Sequence, residues 1–246
     1  SVSLFINNKK YILAFIVLAL ASSVILLGPN ESAKIALICS FFSALIIYFL
    51  GPKLFKLFGI ISLIVIFFSP LILGIMLPKI GNIDKEVELP SKRIVQWTQT
   101  RHGSSLIHRL LIWEYVTKEV FKRPIFGHGL GTSRFIGQNI ILKVPNTTLE
   151  IKGGIPLHPH NNFLEIWLEL GLLGTIIISL IWIKIIKLGI SMRKNSYILG
   201  TGACSSIITI FVICNLSFGA FQAWWMASIG LVFLIIFQSY NQQKSI

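Results

Sequence analysis

The sequence predicts an all-α polytopic membrane protein, with about six transmembrane helices and one large, partly helical loop between the third and the fourth. The hydrophobic fraction is 54% and only 13% of the residues are charged, which lies outside the range of ordinary soluble domains. Lipid cannot satisfy the open backbone groups of isolated strands, so the apolar runs are predicted to be helices. These runs are 11–28, 33–50, 55–77, 163–188, 198–216 and 221–238.

The chain is therefore expected to have three parts. Three helices, a polar loop and three further helices follow one another over residues 1–77, 78–162 and 163–246. Gly28 and Gly51, each followed by Pro, separate the first three runs, and Pro70 is expected to kink the third. Residues 9–28 have the pattern of a secretory signal, but the run continues to Gly28, so we expect a retained helix. Because the sequence begins with Ser1, we expect it to be part of a longer protein.

The net charge of +13 would suit nucleic acid, but its distribution indicates a membrane orientation instead. With the N-terminus inside, the inner segments carry no acidic residue and these basic ones: Lys9, Lys10, Lys53, Lys56, Lys184, Lys187, Arg193, Lys194 and Lys244. The positive-inside rule then places the 78–162 loop outside. That loop holds 12 Lys or Arg against 6 Asp or Glu, which suits either an anionic substrate at the membrane or a simply solvated surface.

One helix is predicted within the loop. Residues 105–123 (SLIHRLLIWEYVTKEVFKR) have apolar side chains at helical spacing, and a Pro ends the pattern. This helix is expected to lie along the membrane surface, with Trp113 and Tyr115 near the interface. A glycine-rich turn follows at 126–132, and no structure is assigned to 138–157.

The sequence HPHN at 158–161 joins the loop to the fourth apolar run. His158 and His160 are separated by one residue in a segment expected to be extended, so both rings can face the same side. Asn162 and Glu165 have the spacing of a capping box, which predicts a helix start near Asn162. The helix start favours anions and disfavours protonated imidazole, so His160 is expected to be a neutral proton acceptor.

The residues alone leave three interpretations of the histidine pair open. The pair could bind a metal together with Glu150 or Glu165, although no third histidine stands at helical spacing. It could be purely structural, or it could supply a base and an oxygen-binding group for group transfer. Glu165 and Glu169 lie one turn apart near the top of the run, where charge is costly and usually functional unless it meets water.

Arginine is the other residue type of interest in the loop. A planar guanidinium binds phosphate oxygens through paired N–H groups and stabilises their charge without a metal. Arg109 lies on the predicted loop helix among apolar neighbours, one turn before Trp113. Arg101, Arg123 and Arg134 are further candidates, although each of them alone fits a solvated charge better than a ligand.

Three motifs together resemble those of the O-antigen ligase and polymerase superfamily of bacterial envelope enzymes. They are HRLLIWEYV on the loop helix, PIFGHGLG after it, and HPHNNFLEIWLELGLLG at the start of the fourth run. Their order and spacing match over residues 105–175, and the surrounding runs are similar to the C-terminal half of such proteins.

The resemblance implies a metal-independent, cofactor-free glycosyltransferase of the bacterial inner membrane, with its active site on the periplasmic face. Such enzymes transfer a glycan from undecaprenyl diphosphate to an acceptor. The acceptor is lipid A–core in a ligase, which is favoured here, another glycan in a polymerase, or a protein in an oligosaccharyltransferase. Carried over to this chain, Arg109 would bind diphosphate, His160 would be the general base and His158 the second catalytic histidine. The substrate-binding candidates are Lys34, Asn161, Arg101, Arg134 and Glu169.

One departure from the family pattern concerns a second arginine that often opens a span near the second run. Glu31 stands where that arginine would fall, and Lys34 follows one helical turn later. Lys34 would supply a point charge and not a planar fork. Either Lys34 substitutes, or the correspondence is misplaced, or activity is impaired. Members of the family also carry more spans, so part of the substrate cavity is expected to lie outside this sequence.

A transporter or flippase component for an anionic lipid is the alternative from another class, and an inactive structural fragment is a third. Transporters place ionisable residues inside their spans near the membrane midplane. The apolar runs here are nearly free of charge except at their ends, so chemistry at the membrane surface is favoured. The expected partners are therefore membrane lipids and glycans, and no nucleic acid.

Overall fold

The computed structural model describes residues 10–77, 101–143, 150–152, 154–155 and 157–244, and the chain in these ranges is mainly helical. The helices are α1 (Tyr11–Leu27), α2 (Glu31–Leu50), α3 (Pro52–Met76), α4 (Arg101–Lys122), α5 (Asn162–Asn195), α6 (Tyr197–Leu216) and α7 (Ala223–Lys244). The short strands β1 (Ile141–Lys143) and β2 (Glu150–Lys152) pair antiparallel, with Ile141 opposite Lys152. The expectation of no structure over 138–157 is therefore wrong at these two strands.

Five of the described helices are long and apolar enough to cross a membrane, namely α2, α3, α5, α6 and α7. Helix α1 is a shorter apolar helix of 17 residues. These six helices follow the six apolar runs of the sequence, which confirms the all-α polytopic membrane fold. The described residues of α4 contribute no such span, as expected for a helix within the loop. Lys9 and most of the segment before α4 lie outside the described residues.

The chain forms two compact units. The first is drawn from 1–65, 178–217 and 221–246, and the second from 66–177 together with 218–220. The second unit thus contains α4, the glycine-rich turn and the first part of α5. It also takes in the short turn between α6 and α7.

Small polar side chains join α2 to α6 in the first unit. The Ser205 hydroxyl donates to the Ser40 carbonyl oxygen at 2.7 Å, and the Ser43 hydroxyl donates to Ser205 Oγ at 3.2 Å. Small residues let helix backbones approach closely in lipid, where hydrogen bonds between helices add to packing.

A buried arginine holds the C-terminal end of α2 in the same unit. One guanidinium nitrogen of Arg193 donates to the carbonyls of Ile47 at 3.3 Å and Tyr48 at 3.2 Å, and the Arg193 side chain stacks on the Tyr197 ring. A cation at a helix C-terminus opposes the negative end of the helix dipole. From the sequence, Arg193 was counted only among the basic residues of the inner segments. The structure shows that it also packs α5 against the end of α2.

Helix α3 runs through Pro70 without ending. Proline has no N–H, so the carbonyl of Ile66, four residues earlier, loses its helical partner. The indole Nε1 of Trp167 on α5 donates to that carbonyl at 3.0 Å. A neighbouring helix thus satisfies the group that the proline frees, which is how membrane helices accommodate proline.

Helix α5 is broken at Gly171, whose φ of 60° and ψ of −152° are not helical. The glycine-rich segment occupies the break. His128 N–H and Gly129 N–H donate to the carbonyls of Leu168 and Glu169, at 2.8 and 2.9 Å. In return, Leu172 N–H and Leu173 N–H donate to the carbonyls of Pro124 and Ile125, at 2.8 and 3.3 Å.

This exchange of hydrogen bonds corrects the expectation of one continuous helix over 163–188. A Cβ atom on Gly171 would lie 2.5 Å from the Ile125 carbonyl oxygen, so no other residue fits there. The 172–195 part is about 36 Å long at a rise of about 1.5 Å per residue, which suffices to cross a bilayer. The residues before the break therefore form a separate short helix at one end of the span.

Candidate functional site

The HPHN segment ends in a side-chain cap on α5. Asn161 Oδ1 accepts hydrogen bonds from Phe163 N–H and Leu164 N–H, both at 3.1 Å, so Asn161 is the N-cap and α5 begins at Asn162. The predicted helix start is confirmed, but the predicted capping box is wrong. Glu165, its expected second member, accepts a hydrogen bond from Ala220 N–H at 2.6 Å instead.

The two histidines of the segment lie against each other. Their ring centroids are 4.4 Å apart, with the ring planes inclined by 58°. His160 has a φ of 56°, and among the residues that the structure describes it is the one non-glycine residue with positive φ. The expectation of an extended segment is therefore wrong at His160. A backbone of this kind costs about 1–3 kcal/mol, and such strained residues cluster at active sites and ligand clamps.

Helix α4 packs against the histidine segment. The indole Nε1 of Trp113 donates to the carbonyl oxygen of Pro159 at 2.7 Å, and both residues are buried. Tyr115 is also buried, where its pKa is raised to about 12 by burial and by the charge and hydrogen bond of Glu119. Trp113 and Tyr115 therefore pack inside the protein, and the expectation that α4 lies along the membrane surface stays a prediction.

Arg109 and His108 are adjacent on α4, and both are half-buried. Burial lowers the pKa of His108, and the charges of His160 and Arg109 lower it further. Burial also lowers the pKa of Arg109, which nevertheless stays protonated at neutral pH. His108 thus lies within electrostatic reach of the predicted base and of the predicted phosphate ligand. Sequence reasoning missed His108, although it directly precedes Arg109.

Glu169 fastens the glycine-rich turn to α5. Its side chain is almost completely buried, with 1% of the residue exposed. One carboxylate oxygen accepts from Gly131 N–H at 2.7 Å, and the other accepts from Ser133 N–H at 3.1 Å and from the Ser133 hydroxyl at 2.6 Å. Glu169 was predicted to bind substrate, whereas both of its carboxylate oxygens accept hydrogen bonds from Gly131 and Ser133.

The turn between α6 and α7 also reaches the site. A Cβ atom on Gly219 would lie 3.0 Å from His158 Cβ and 3.1 Å from Glu165 Oε2, so any larger residue would have to displace these neighbours by a few tenths of an ångström. With the hydrogen bond from Ala220 to Glu165, this contact joins a distant part of the sequence to the histidine pair. Sequence reasoning did not include these residues, and the small side chains of Gly219 and Ala220 were the available signal.

The other candidate substrate-binding residues lie on three different elements of the chain. Arg134 is exposed in the short 3-10 turn Thr132–Arg134, and its charge interacts with that of Glu165. Lys34 lies on α2 in the first unit, where its Nζ is 3.1 Å from Glu31 Oε1. Arg101 begins α4, but its side chain lies outside the described residues.

A metal site gains no support from the described parts of the chain. Within them, no three His, Cys, Asp or Glu side chains are grouped so that they could hold an ion. Glu165, one of the two carboxylates considered as a ligand, bonds to the backbone of Ala220. Glu150 stands in β2, and its side chain lies outside the described residues.

The fold and the site together define a polytopic helical membrane protein with a histidine and arginine cluster in the loop region between its third and fifth helices. The chain belongs to the O-antigen ligase family, because its residues 4–179 match the sequence profile of that family. The family resemblance carried by the three motifs is thereby confirmed.

Curated relatives agree with this membership. A protein of Rickettsia prowazekii named "Putative polysaccharide ligase" is 33% identical over 134 residues, which are 54% of this chain and 32% of that protein. A protein of Rickettsia conorii with the same description is 30% identical over 192 residues, 76% of this chain and 41% of the relative. The chain thus spans well under half of the length of these relatives. No solved structure matches the chain.

Proposed function

We propose that this chain carries the catalytic residues of a metal-independent glycosyltransferase of the bacterial inner membrane. In this proposal a glycan passes from undecaprenyl diphosphate to lipid A–core at the periplasmic face. Membership of the O-antigen ligase family and the polysaccharide ligase relatives support glycan transfer. The single observation that carries the assignment is the hydrogen bond from Trp113 to Pro159, because it joins the helix of Arg109 to the segment of His158 and His160.

The proposed reaction is a displacement at the anomeric carbon of the donor sugar. The acceptor hydroxyl oxygen forms a bond to that carbon, and His160 takes the hydroxyl proton. The bond between the anomeric carbon and the diphosphate oxygen breaks, and its electron pair leaves with undecaprenyl diphosphate. Arg109 binds the diphosphate and stabilises the negative charge that develops there.

The surroundings of His160 suit a proton acceptor. His160 directly precedes the N-cap of α5. The partial positive charge of the helix N-terminus disfavours a protonated imidazole there. The ring of His158 at 4.4 Å adds to this effect, because two neighbouring imidazoles cannot both be protonated without repulsion. A neutral imidazole at neutral pH is the form that accepts a proton.

The choice of ligase over the other reactions of the superfamily rests on the acceptor alone. A polymerase or a protein O-oligosaccharyltransferase would use the same residues with another glycan or a protein side chain as acceptor. The relatives' description as polysaccharide ligases and the paired histidines favour the ligase. The lipid transporter gains no support, because the buried carboxylates of Glu165 and Glu169 bind the backbone of neighbouring turns.

The decisive experiment is glycan transfer from purified undecaprenyl diphosphate glycan to lipid A–core by the reconstituted full-length protein. His160→Ala is expected to abolish transfer while the protein remains folded in the membrane. Lys118→Ala is the matched control, since Lys118 lies on the exposed side of α4. EDTA is expected to leave the reaction intact. If His160→Ala transfers glycan at the unchanged rate, His160 is not the general base. If EDTA abolishes transfer and zinc restores it, the enzyme uses a metal ion instead.

A further inference from the structure

The end of α4 and the turn after it expose large apolar side chains outside the membrane-spanning helices. Phe121, Ile125, Phe126 and Leu130 are each between 53 and 74% exposed. Soluble surfaces carry such side chains singly, and a contiguous group marks a surface that contacts another apolar phase. Residues 121–130 are called the apolar segment below.

The apolar segment is fixed at one end of a membrane-spanning helix. Its four backbone hydrogen bonds to residues 168–173 of α5 hold Ile125 and Phe126 at the level of the break in that helix. The spanning part of α5 starts at this level, and its side chains Leu173 and Ile177 are exposed, as expected for a surface that faces lipid. The apolar segment therefore starts where the lipid-facing surface of α5 starts.

Contacts with α3, a second membrane-spanning helix, independently place the apolar segment at the end of a span. A Cβ atom on Gly74, near the end of α3, would lie 3.6 Å from Phe121 Cε2 and 3.1 Å from Thr117 Cγ2. The neighbouring Ile75 and Met76 of α3 are exposed. Phe121 therefore lies beside the last turn of a second helix whose outer surface is apolar.

Basic side chains accompany the apolar segment. Three of them, Lys122, Arg123 and Arg134, are exposed, and Lys122 pairs with the carboxylate of Glu119 at 2.6 Å. Long basic side chains can place their stems along apolar surface and their charges at the level of lipid phosphates. Positive charge next to exposed aromatic and aliphatic side chains is typical of protein surfaces that enter an anionic membrane interface.

We propose that residues 121–130 are a membrane-docking segment that enters the bilayer interface. Phe121, Ile125, Phe126 and Leu130 enter the boundary between headgroups and acyl chains, and the adjacent basic side chains bind phosphate groups of anionic phospholipids. The glycine-rich turn then lies in lipid, at the side of the site, and does not project into water. This placement does not depend on glycan transfer.

The test measures the depth of single labels in liposomes that contain phosphatidylglycerol. Full-length protein in a Cys39→Ala, Cys204→Ala and Cys214→Ala background carries bimane at Phe126→Cys or, as the matched control, at Lys118→Cys. The label at 126 is expected to emit at shorter wavelength and to be quenched about threefold more strongly by headgroup-level nitroxide lipid than the label at 118. The label at 118 is expected to respond to iodide in the water phase.

Equal quenching of the two labels by iodide, with no effect of nitroxide lipid at 126, would overturn the proposal. If Phe126→Cys does not reach the membrane, Leu130→Cys provides the same comparison at a second exposed position of the segment. Because label depth is read without any glycan substrate, this result is separate from the outcome of the transfer assay.

Discussion

Trp113 Nε1 lies 2.7 Å from the carbonyl oxygen of Pro159, and this hydrogen bond ties the loop helix α4 to the segment that carries both histidines. The bond is buried, and its two partners are 46 residues apart in the sequence. It therefore fixes the position of the arginine helix relative to the start of α5.

Trp113→Phe removes the donor but keeps an aromatic ring. The buried Pro159 carbonyl would be left without its partner, which costs about 1–3 kcal/mol. We expect a lower unfolding temperature in detergent and a larger loss of transfer than the stability change explains. Trp224→Phe is the control, because Trp224 is more than half exposed on α7. Equal effects of the two substitutions would show that the Trp113 bond has no special role.

His160 allows the backbone strain to be separated from the chemistry of the imidazole. His160→Gly and His160→Ala both remove the ring, but only glycine adopts a φ of 56° without steric cost. We expect the Gly variant to be more stable than the Ala variant by about 1 kcal/mol, and both to be inactive. At His158 the order is expected to reverse, since glycine there only adds flexibility to the unfolded chain. Thermal unfolding of the four variants measures the difference, and the same order at both positions would refute the role of strain.

Arg109→Lys keeps the charge and removes the planar pair of N–H groups. If Arg109 binds diphosphate through two parallel hydrogen bonds, we expect transfer to fall about tenfold or more. Lys118→Arg is a matched exchange on the exposed side of the same helix and is expected to be neutral. The kinetic constants for the lipid-linked donor are the measurement. Full activity of Arg109→Lys would reduce the guanidinium to a generic positive charge.

Glu169→Gln replaces one oxygen of a carboxylate that accepts three hydrogen bonds. The new NH₂ group would face a donor, so we expect a loss of about 1–3 kcal/mol and faster proteolysis within residues 127–134. Glu31→Gln is the control, since the Glu31 carboxylate is partly exposed, pairs with Lys34 on the surface of α2 and is expected to contribute less than about 1 kcal/mol. Unchanged proteolysis of the turn in Glu169→Gln would contradict the anchoring role.

The lowered pKa of His108 predicts a pH dependence of stability. The unfolded chain binds a proton at His108 below about pH 6.5, whereas the folded protein binds it only at lower pH because of burial and the charges of His160 and Arg109. Stability is therefore expected to fall as the pH drops through about 6.5 and to level off below the folded pKa. His108→Asn is expected to flatten this part of the curve in thermal unfolding. Parallel curves for the two proteins would refute the assignment.

The sequence was sufficient to predict the spans because lipid imposes a length and composition on each helix that can be counted directly. It also predicted the start of α5 and the motifs of the family. The local cap was assigned to the wrong residue, since Asn161 and Asn162 are both good caps and only tertiary contact decides between them. Glu165 was taken for the cap partner because its bond to Ala220 joins positions 55 residues apart.

Other parts of the site depended on contacts that no local pattern reveals. The break at Gly171 was missed because the apolar run continues through it, and only the approach of the Pro124–Gly129 segment requires a glycine there. The role of Glu169 was missed for the same reason, since its partners, Gly131 and Ser133, stand in a separate motif.

The break in α5 also has a consequence for the order of assembly. The 124–129 segment, which completes the backbone bonding of the span at Gly171, leaves the ribosome before that span is made. The 124–129 segment must then stay beside the insertion site until its helix arrives, so insertion of α5 and folding of this segment become one event. If α5 inserted without the 124–129 segment, its backbone N–H and C=O groups at the break would lack hydrogen-bond partners at the edge of the hydrocarbon. Quality control of the nascent protein would have these exposed groups to recognise.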